Sequence, residues 1–140
     1  MPEIPSQSNA TMRIAASGLR AQQSRMRIIA ENLANANSTA RTAGGDPYRR
    51  QVPVFEPRAV DGGEGVSMSR VQPDQAAFRS TYDPGHPAAD EKGNVKMPNV
   101  ELLVETADMR DATRAYEANL QIVKQARELV SMTLDLLRVG

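Results

Sequence analysis

At 140 residues the chain has the length of one ordinary domain, yet with two Phe, three Tyr and no Trp it lacks the large side chains that dominate most interiors, so thin helical seams are expected in place of a globular centre. Lys plus Arg and Asp plus Glu balance at 17 each, and no stretch concentrates one sign, which argues against electrostatic capture of nucleic acid or acidic lipid. The lack of cysteine excludes a disulfide framework and thiolate metal sites.

The opening stretch MPEIPSQSNATMRIAAS has no basic region followed by a continuous apolar run, and no apolar run anywhere approaches about eighteen residues. A soluble chain made in the cytoplasm is expected. From Ser8 or Asn9, either of which can cap a helix, Met12, Leu19, Met26 and Leu33 recur every seven residues, with Ala15, Ile29 and Ala36 filling intermediate positions. The spacing predicts a helix over 9–35, roughly 40 Å long. Its end, IAENLANANSTA, clusters Asn32, Asn35 and Asn37. Side-chain amides lower helix propensity and compete for backbone hydrogen bonds, so these residues either end the helix or present a polar surface.

Residues 38–97 hold most of the Pro and Gly. YRRQVPVF and GVSMSRV alternate partially, FRSTY sets Phe78, Ser80 and Tyr82 on one side, and DGGEG (61–65) reads as a turn between the first two. A small β-hairpin or three short strands with long loops is expected, and Pro53 restricts the first strand to an edge. Gly44 and Gly45 near Arg41, Arg49 and Arg50 lack the Lys-Ser/Thr of a phosphate-binding loop, so a turn feeding a strand is the reading. Arg49 and Arg50 are then expected to make loop contacts with carboxylates of a neighbouring protein. His86, the only histidine, stands between two prolines with Asp83 and Asp90 nearby. It has no second nitrogen or thiolate ligand in sequence reach and reads as part of a polar loop, so no catalytic, metal or cofactor site is expected.

From Pro98 and Asn99 onward, Leu102, Met109, Tyr116, Val123, Val130 and Leu137 keep the seven-residue step, beside a stripe of Ala115, Ile122, Leu129 and Leu136. Glu101 and Glu105 suit the positive end of such a helix, which would run roughly 60 Å. RAYEAN (114–119) is its odd stretch. Tyr116 falls on the seam, and Asn119 alternates with it, one heptad from both Ala112 and Ala126. Small residues let backbones approach, while an amide at one position fixes alignment. The expected fold is mainly α: two long terminal helices forming an antiparallel coiled-coil-like hairpin, with a small β-hairpin and loop region between them. The expected divisions are 1–37, 38–97 and 98–140. Met12, Leu19, Met26, Ile29 and Leu33 on the first helix, with the heptad series from Leu102 to Leu137 on the second, are the expected seam and subunit-interface positions. Asn32, Asn35, Asn37, Arg114 and Asn119 are the polar ones.

ASGLRAQQSRMRIIAENLANANST, followed by a Gly-Gly turn and PYRRQ, resembles the N-terminal signature of the bacterial flagellar rod and hook family. HPAADEKGNVKMPNVELLVETADMRDATRAYEANLQIVKQA resembles its closing signature, and the GG-PYRR continuation is similar to the proximal-rod members. Ser17, Gly18, Leu19, Asn32, Asn35, Asn37, Pro47 to Arg50, Pro98 to Val100, Met109, Arg114, Tyr116 and Asn119 stand where the pattern wants them. Asp46, Ser38, Val104 and Thr106 depart from it.

The resemblance implies a structural subunit of the flagellar basal-body rod, exported unfolded by the flagellar type III apparatus without a cleaved signal peptide. Such a subunit assembles in the periplasm, its terminal helices forming the inner tube around the export channel. The implied partners are copies of itself, other proximal rod proteins, the rod–MS-ring adaptor, the distal rod and the export apparatus, with no nucleic acid, small-molecule substrate or cofactor. Another rod component is the alternative within the family; distal members carry larger inserts. A soluble coiled-coil adaptor or export chaperone is the alternative outside it, since heptads alone would suffice.

Overall fold

The computed structural model describes residues 3–139, with side chains from residue 7 onward. Among these the chain forms α1 (Glu3–Ala34), β1 (Gln51–Val60), β2 (Gly63–Pro73), β3 (Arg79–Tyr82), β4 (Asn94–Met97) and α2 (Leu102–Val139). With 32 and 38 residues, the two helices make up half of the chain, and the strands between them form two two-stranded sheets, β1–β2 and β3–β4. Two long helices enclosing hairpins is the coarse form of the expected fold. Residues 1, 2 and 140, which end the expected helical segments, lie outside the described residues.

Several boundaries differ from the sequence reading. α1 is already helical before Ser8 and Asn9, so neither caps it. α2 starts at Leu102 and not at Pro98, because Asn99 is committed to a loop network described below. β1 and β2 are 10 and 11 residues long, not short. β1 tolerates Pro53 and Pro57 because each strand of a two-stranded ribbon has one unpaired side. β3, the FRSTY strand, pairs antiparallel with β4 from Arg79↔Met97 to Tyr82↔Asn94; β4 was not anticipated.

The chain divides into two compact units, and each draws on α1, the β1–β2 ribbon and α2. The first comprises the chain up to Met26, Val54–Arg70 and the chain from Asp111. Its buried side chains are small: Ala10, Ala15, Ser17, Ala21, Ala112 and Ala126. Small residues allow the close approaches that define it. A Cβ on Gly18 would lie 2.7 Å from Asn119 Nδ2, and one groove is lined by Gln7, Ser8 and Thr11 of α1 with Ile122, Gln125 and Ala126 of α2. Numbers fall on one helix as they rise on the other, so α1 and α2 run antiparallel here.

A second line on α1 carries the ribbon. A Cβ on Gly62 would lie 2.6 Å from Ala10 Cβ, one on Gly63 2.9 Å from Ile14 Cδ1, and one on Gly65 would run into Ser17 Oγ. Ser17 Oγ donates to the Ile14 carbonyl (2.7 Å) and accepts from Val66 N (3.1 Å). DGGEG is therefore more than a turn. Its glycines bring backbone onto the helix at the 3–4 spacing of residues 10, 14 and 17.

The second unit comprises Arg27–Pro53 and Val71–Arg110. Ile28, Ile29, Ala36, Ala88, Val95 and Val100 are buried in it, alongside the polar side chains of Asn32, Asn99 and Glu105.

Candidate functional site

The polar interior of the second unit starts at the last turns of α1. Asn32 is 1% exposed. Its Nδ2 donates to the Gln51 carbonyl (2.9 Å), and its Oδ1 accepts from Gln51 N (2.9 Å) and from the Tyr48 hydroxyl (2.7 Å). A carboxamide carries the same donor and acceptor as a peptide group, so Asn32 pairs with Gln51 as a strand would. With no water to replace them, these bonds must be made. Asn35 serves the helix end: Nδ2 donates to the Glu31 carbonyl (2.9 Å) and Oδ1 accepts from Ser38 Oγ (3.0 Å). Asn37 is exposed.

Arg50, just before β1, is the hub of this interior. Its Nε donates to Glu105 Oε1, Nη1 to Asp74 Oδ2 (3.2 Å) and Nη2 to Asp108 Oδ2 (3.4 Å), while its backbone N donates to Asn99 Oδ1 (2.7 Å). Asn99 Nδ2 donates to the carbonyls of Asp74 (3.0 Å) and Ala76 (3.1 Å). Arg49 Nη1 binds the same two carbonyls at 2.8 and 3.2 Å, and its guanidinium stacks 4.2 Å from the centre of the Phe78 ring. The arginines thus find their partners within the chain. Three carboxylates of the chain's own fold surround the Arg50 fork, where the sequence reading looks to a neighbouring protein for them.

The electrostatics follow from that arrangement. Burial alone would lower the Arg50 pKa, but the hydrogen bond and charge of Glu105, then those of Asp74, raise it. The Asp74 carboxyl is held below its ordinary range, first by Ala76 N donating to Oδ1 at 2.9 Å and then, against its burial, by Arg50 and Arg49. Burial pushes the Tyr48 hydroxyl up, and the nearby charges of Glu31 and Glu105 add to that. Glu105 is fully buried at the first turn of α2, so its pairing with Arg50 ties that turn to the start of β1. Arg50 thus joins Glu105, Asp74 and Asp108 as a clamp between the start of β1 and α2, with Glu105 Oε2 left buried without a hydrogen-bond partner among the described residues.

His86 is a loop staple. Its Nδ1 accepts from Ala88 N (3.0 Å), which leaves the proton on Nε2, 3.5 Å from Thr39 Oγ1. Among the described residues no group of three His, Cys, Asp or Glu could hold a metal ion, and no helix is long and apolar enough to cross a membrane.

Of the seam positions read from the heptads, Ile29 is buried; Met12, Leu19, Met26, Leu33, Met109, Tyr116, Val123 and Val130 are half-buried; and Leu102, Leu137 and Arg114 are exposed. The most buried line of α2 runs three residues on from the heptad positions of that helix, through Glu105, Ala112 and Ala126, with half-buried Asn119 between the two alanines. Small side chains permit the approach that covers them, and the larger heptad residues flank it. Glu105 stands one heptad before Ala112, so extending the Ala112–Asn119–Ala126 line backward could have found it. Asp74 and Asp108 give no such signal, and Asn99 stands out only at the start of the second helical segment and within the Pro98–Val100 signature. Beyond these contacts α2 is left uncovered: Leu129, Met132, Leu134, Leu136 and Leu137 are all exposed.

Residues 12–41 match the family model described as flagella basal body rod protein, and residues 91–136 match the flagellar basal body rod FlgEFG protein C-terminal model. Both ends of the chain are thus segments of flagellar rod proteins. Over 134 residues the chain is 52% identical to the flagellar basal-body rod protein FlgC of Agrobacterium fabrum, covering 94% of this chain and 96% of that one. It is 36% identical over 147 residues to FlgC of Borreliella burgdorferi (91% and 96% covered) and 40% identical over 125 residues to FlgC of Escherichia coli O6:H1 (88% and 92% covered). The chain belongs to the FlgC family of flagellar basal-body rod proteins.

Proposed function

We propose that the chain is a structural subunit of the flagellar basal-body rod, in its proximal segment, that works by packing against copies of itself and other rod proteins. The observation that carries this reading is the far half of α2, where Leu136 is 76% and Val139 89% exposed and apolar residues occur on most sides of the helix. A helix of that kind needs neighbours to cover it. In this reading residues 1–37 and 98–140 form the inner-tube helical domain around the export channel, as an antiparallel coiled-coil-like pair, and 38–97 stands outside it. The heptad positions from Met12 to Leu33 and from Leu102 to Leu137 pack within and between subunits, with Asn37 and Arg114 as polar contacts. The other proximal rod proteins, the rod–MS-ring adaptor and the distal rod are its neighbours. The flagellar type III apparatus delivers it to the periplasm, and no catalytic step is assigned to it.

The test is fractionation. The unsubstituted chain should be recovered with detergent-purified basal bodies. Leu136→Asp should still leave the cytoplasm yet fall to background in basal bodies, because an unpaired carboxylate in a desolvated seam is strongly unfavourable. Recovery of the unsubstituted chain as a stable helical dimer in the cytoplasm would instead support the adaptor or chaperone reading.

A further inference from the structure

Arg13 and Arg20 stand one heptad apart on the exposed side of α1, and with Arg58 of β1 they line a groove of about 340 Å³ whose lining includes one acid, Asp61. Among the described residues none of the three guanidiniums has a hydrogen bond or ion pair. This is the opposite of Arg50, which three carboxylates surround. Three unpaired forks around one groove make a local positive field, and planar guanidinium is the side chain best matched to carboxylate. Ala16 and Ala59 give the groove a small apolar floor.

Two acids of α2 carry the opposite charge, in a stretch that also holds Lys124, Arg127 and Arg138. Glu128 and Asp135 are exposed, are also one heptad apart, and have no ion pair among the described residues. Met132 lies between them, 61% exposed. At 1.5 Å per residue both pairs of charges are spaced by about 10 Å. In the antiparallel arrangement that sets Gly18 against Asn119, the α2 residue level with Arg13 is Lys124, so these acids do not meet the groove within one chain.

We propose that the Arg13–Arg20–Arg58 groove of one copy receives the Glu128–Asp135 face of α2 from a second copy, with Met132 resting on Ala16 and Ala59. Two different surfaces meet, so the contact is heterologous and repeats from copy to copy. The proposal rests on the rod-subunit reading and names one of its contacts.

Charge reversal tests it. Arg13→Glu with Arg20→Glu, and separately Glu128→Arg with Asp135→Arg, should each lower the protein recovered in basal bodies by about tenfold or more, since like charges then face each other. All four changes together should restore recovery to within about twofold of the unsubstituted chain. Because the chain has no cysteine, co-expressed Ala16→Cys and Met132→Cys chains should also form a disulfide-linked dimer under mild oxidation, while Thr42→Cys with Met132→Cys should not. Full recovery of either reversal, or loss in both without rescue by the combination, would overturn the contact. Recovery of the unsubstituted chain in basal bodies checks the underlying reading separately; were it absent there, that reading would fail, and the disulfide dimer would still decide the contact.

Discussion

Asn119 of α2 rests on Gly18 of α1, so closely that a Cβ on Gly18 would lie 2.7 Å from Asn119 Nδ2 and 3.0 Å from its Cγ. A glycine inside a helix is ordinarily a weakness, about 1 kcal/mol worse than alanine. Here it is the condition for the two helices to meet.

Gly18→Ala should therefore destabilise the chain by about 1–3 kcal/mol through overpacking, where a solvent-facing helical glycine would gain from the same change. Gly18→Ala with Asn119→Ala should recover most of that loss, and Asn119→Leu should overfill the same contact. Urea unfolding midpoints of the four chains decide it. A Gly18→Ala chain as stable as the unsubstituted one would mean that Asn119 turns aside freely.

The ribbon should be as sensitive at Gly62. Its φ of +90° is left-handed, and Ala10 Cβ occupies the space a side chain would need. Gly62→Ala should cost about 1–3 kcal/mol from backbone strain and crowding together. Ser17→Ala, which removes the bond from Val66 N and the one to the Ile14 carbonyl, should cost about 1–2 kcal/mol. Equal thermal stability of Gly62→Ala and the unsubstituted chain would show that the ribbon does not need to sit on α1.

Removing Arg50 should be worse than removing the charge it pairs with. Arg50→Met strands fully buried Glu105 without a cation, a change worth about 3–5 kcal/mol. Glu105→Gln leaves Arg50 paired with Asp74 and Asp108, so its loss should be smaller, about 1–3 kcal/mol. Unfolding in urea with both variants would reveal the order, and a reversed order would show that Glu105 is held by something other than Arg50.

Stability should fall at both ends of the pH scale for separate reasons. The folded Asp74 carboxyl lies below its ordinary 3.8, so its contribution is present above about that pH and is lost as pH falls further, through the folded value. The Tyr48 hydroxyl lies above its ordinary 10.0, so its contribution is present below that pH and disappears as pH rises through the folded value. Melting temperature against pH should show a shallower acid limb for Asp74→Asn and a shallower alkaline limb for Tyr48→Phe. If each substitution left its limb unchanged, those two groups would not be what the limbs report.

Much was legible in the sequence because it is written in local periodicity. The heptad run from Met12 to Leu33 and that from Leu102 to Leu137 mark two long helices, since a 3.6-residue period shows itself within one segment. The Gly- and Pro-rich middle marks the hairpins for the same reason, and the signatures around Ser17–Leu19, Asn32–Asn37 and Arg114–Asn119 mark the family. What the amides do was not legible. Asn32 could end a helix or face a partner, and only the return of the chain at Gln51 makes it a peptide mimic with both bonds satisfied.

The tertiary structure alone decided the rest, because those contacts join residues far apart in the chain. Glu105 reads in sequence as a carboxylate favoured by a helix N-terminus; burial beside Arg50 makes it one half of an ion pair spanning 55 positions. The glycines of DGGEG read as a turn until Ala10, Ile14 and Ser17 lie beneath them. The sequence marks both the large heptad residues of α2 and the Ala112–Asn119–Ala126 line beside them, and only the placement of Gly18 against Asn119 shows that the closest packing falls on the second. Hydrophobic spacing announces which face of a helix turns inward, while how near the next backbone can come is set by where two small surfaces meet in space.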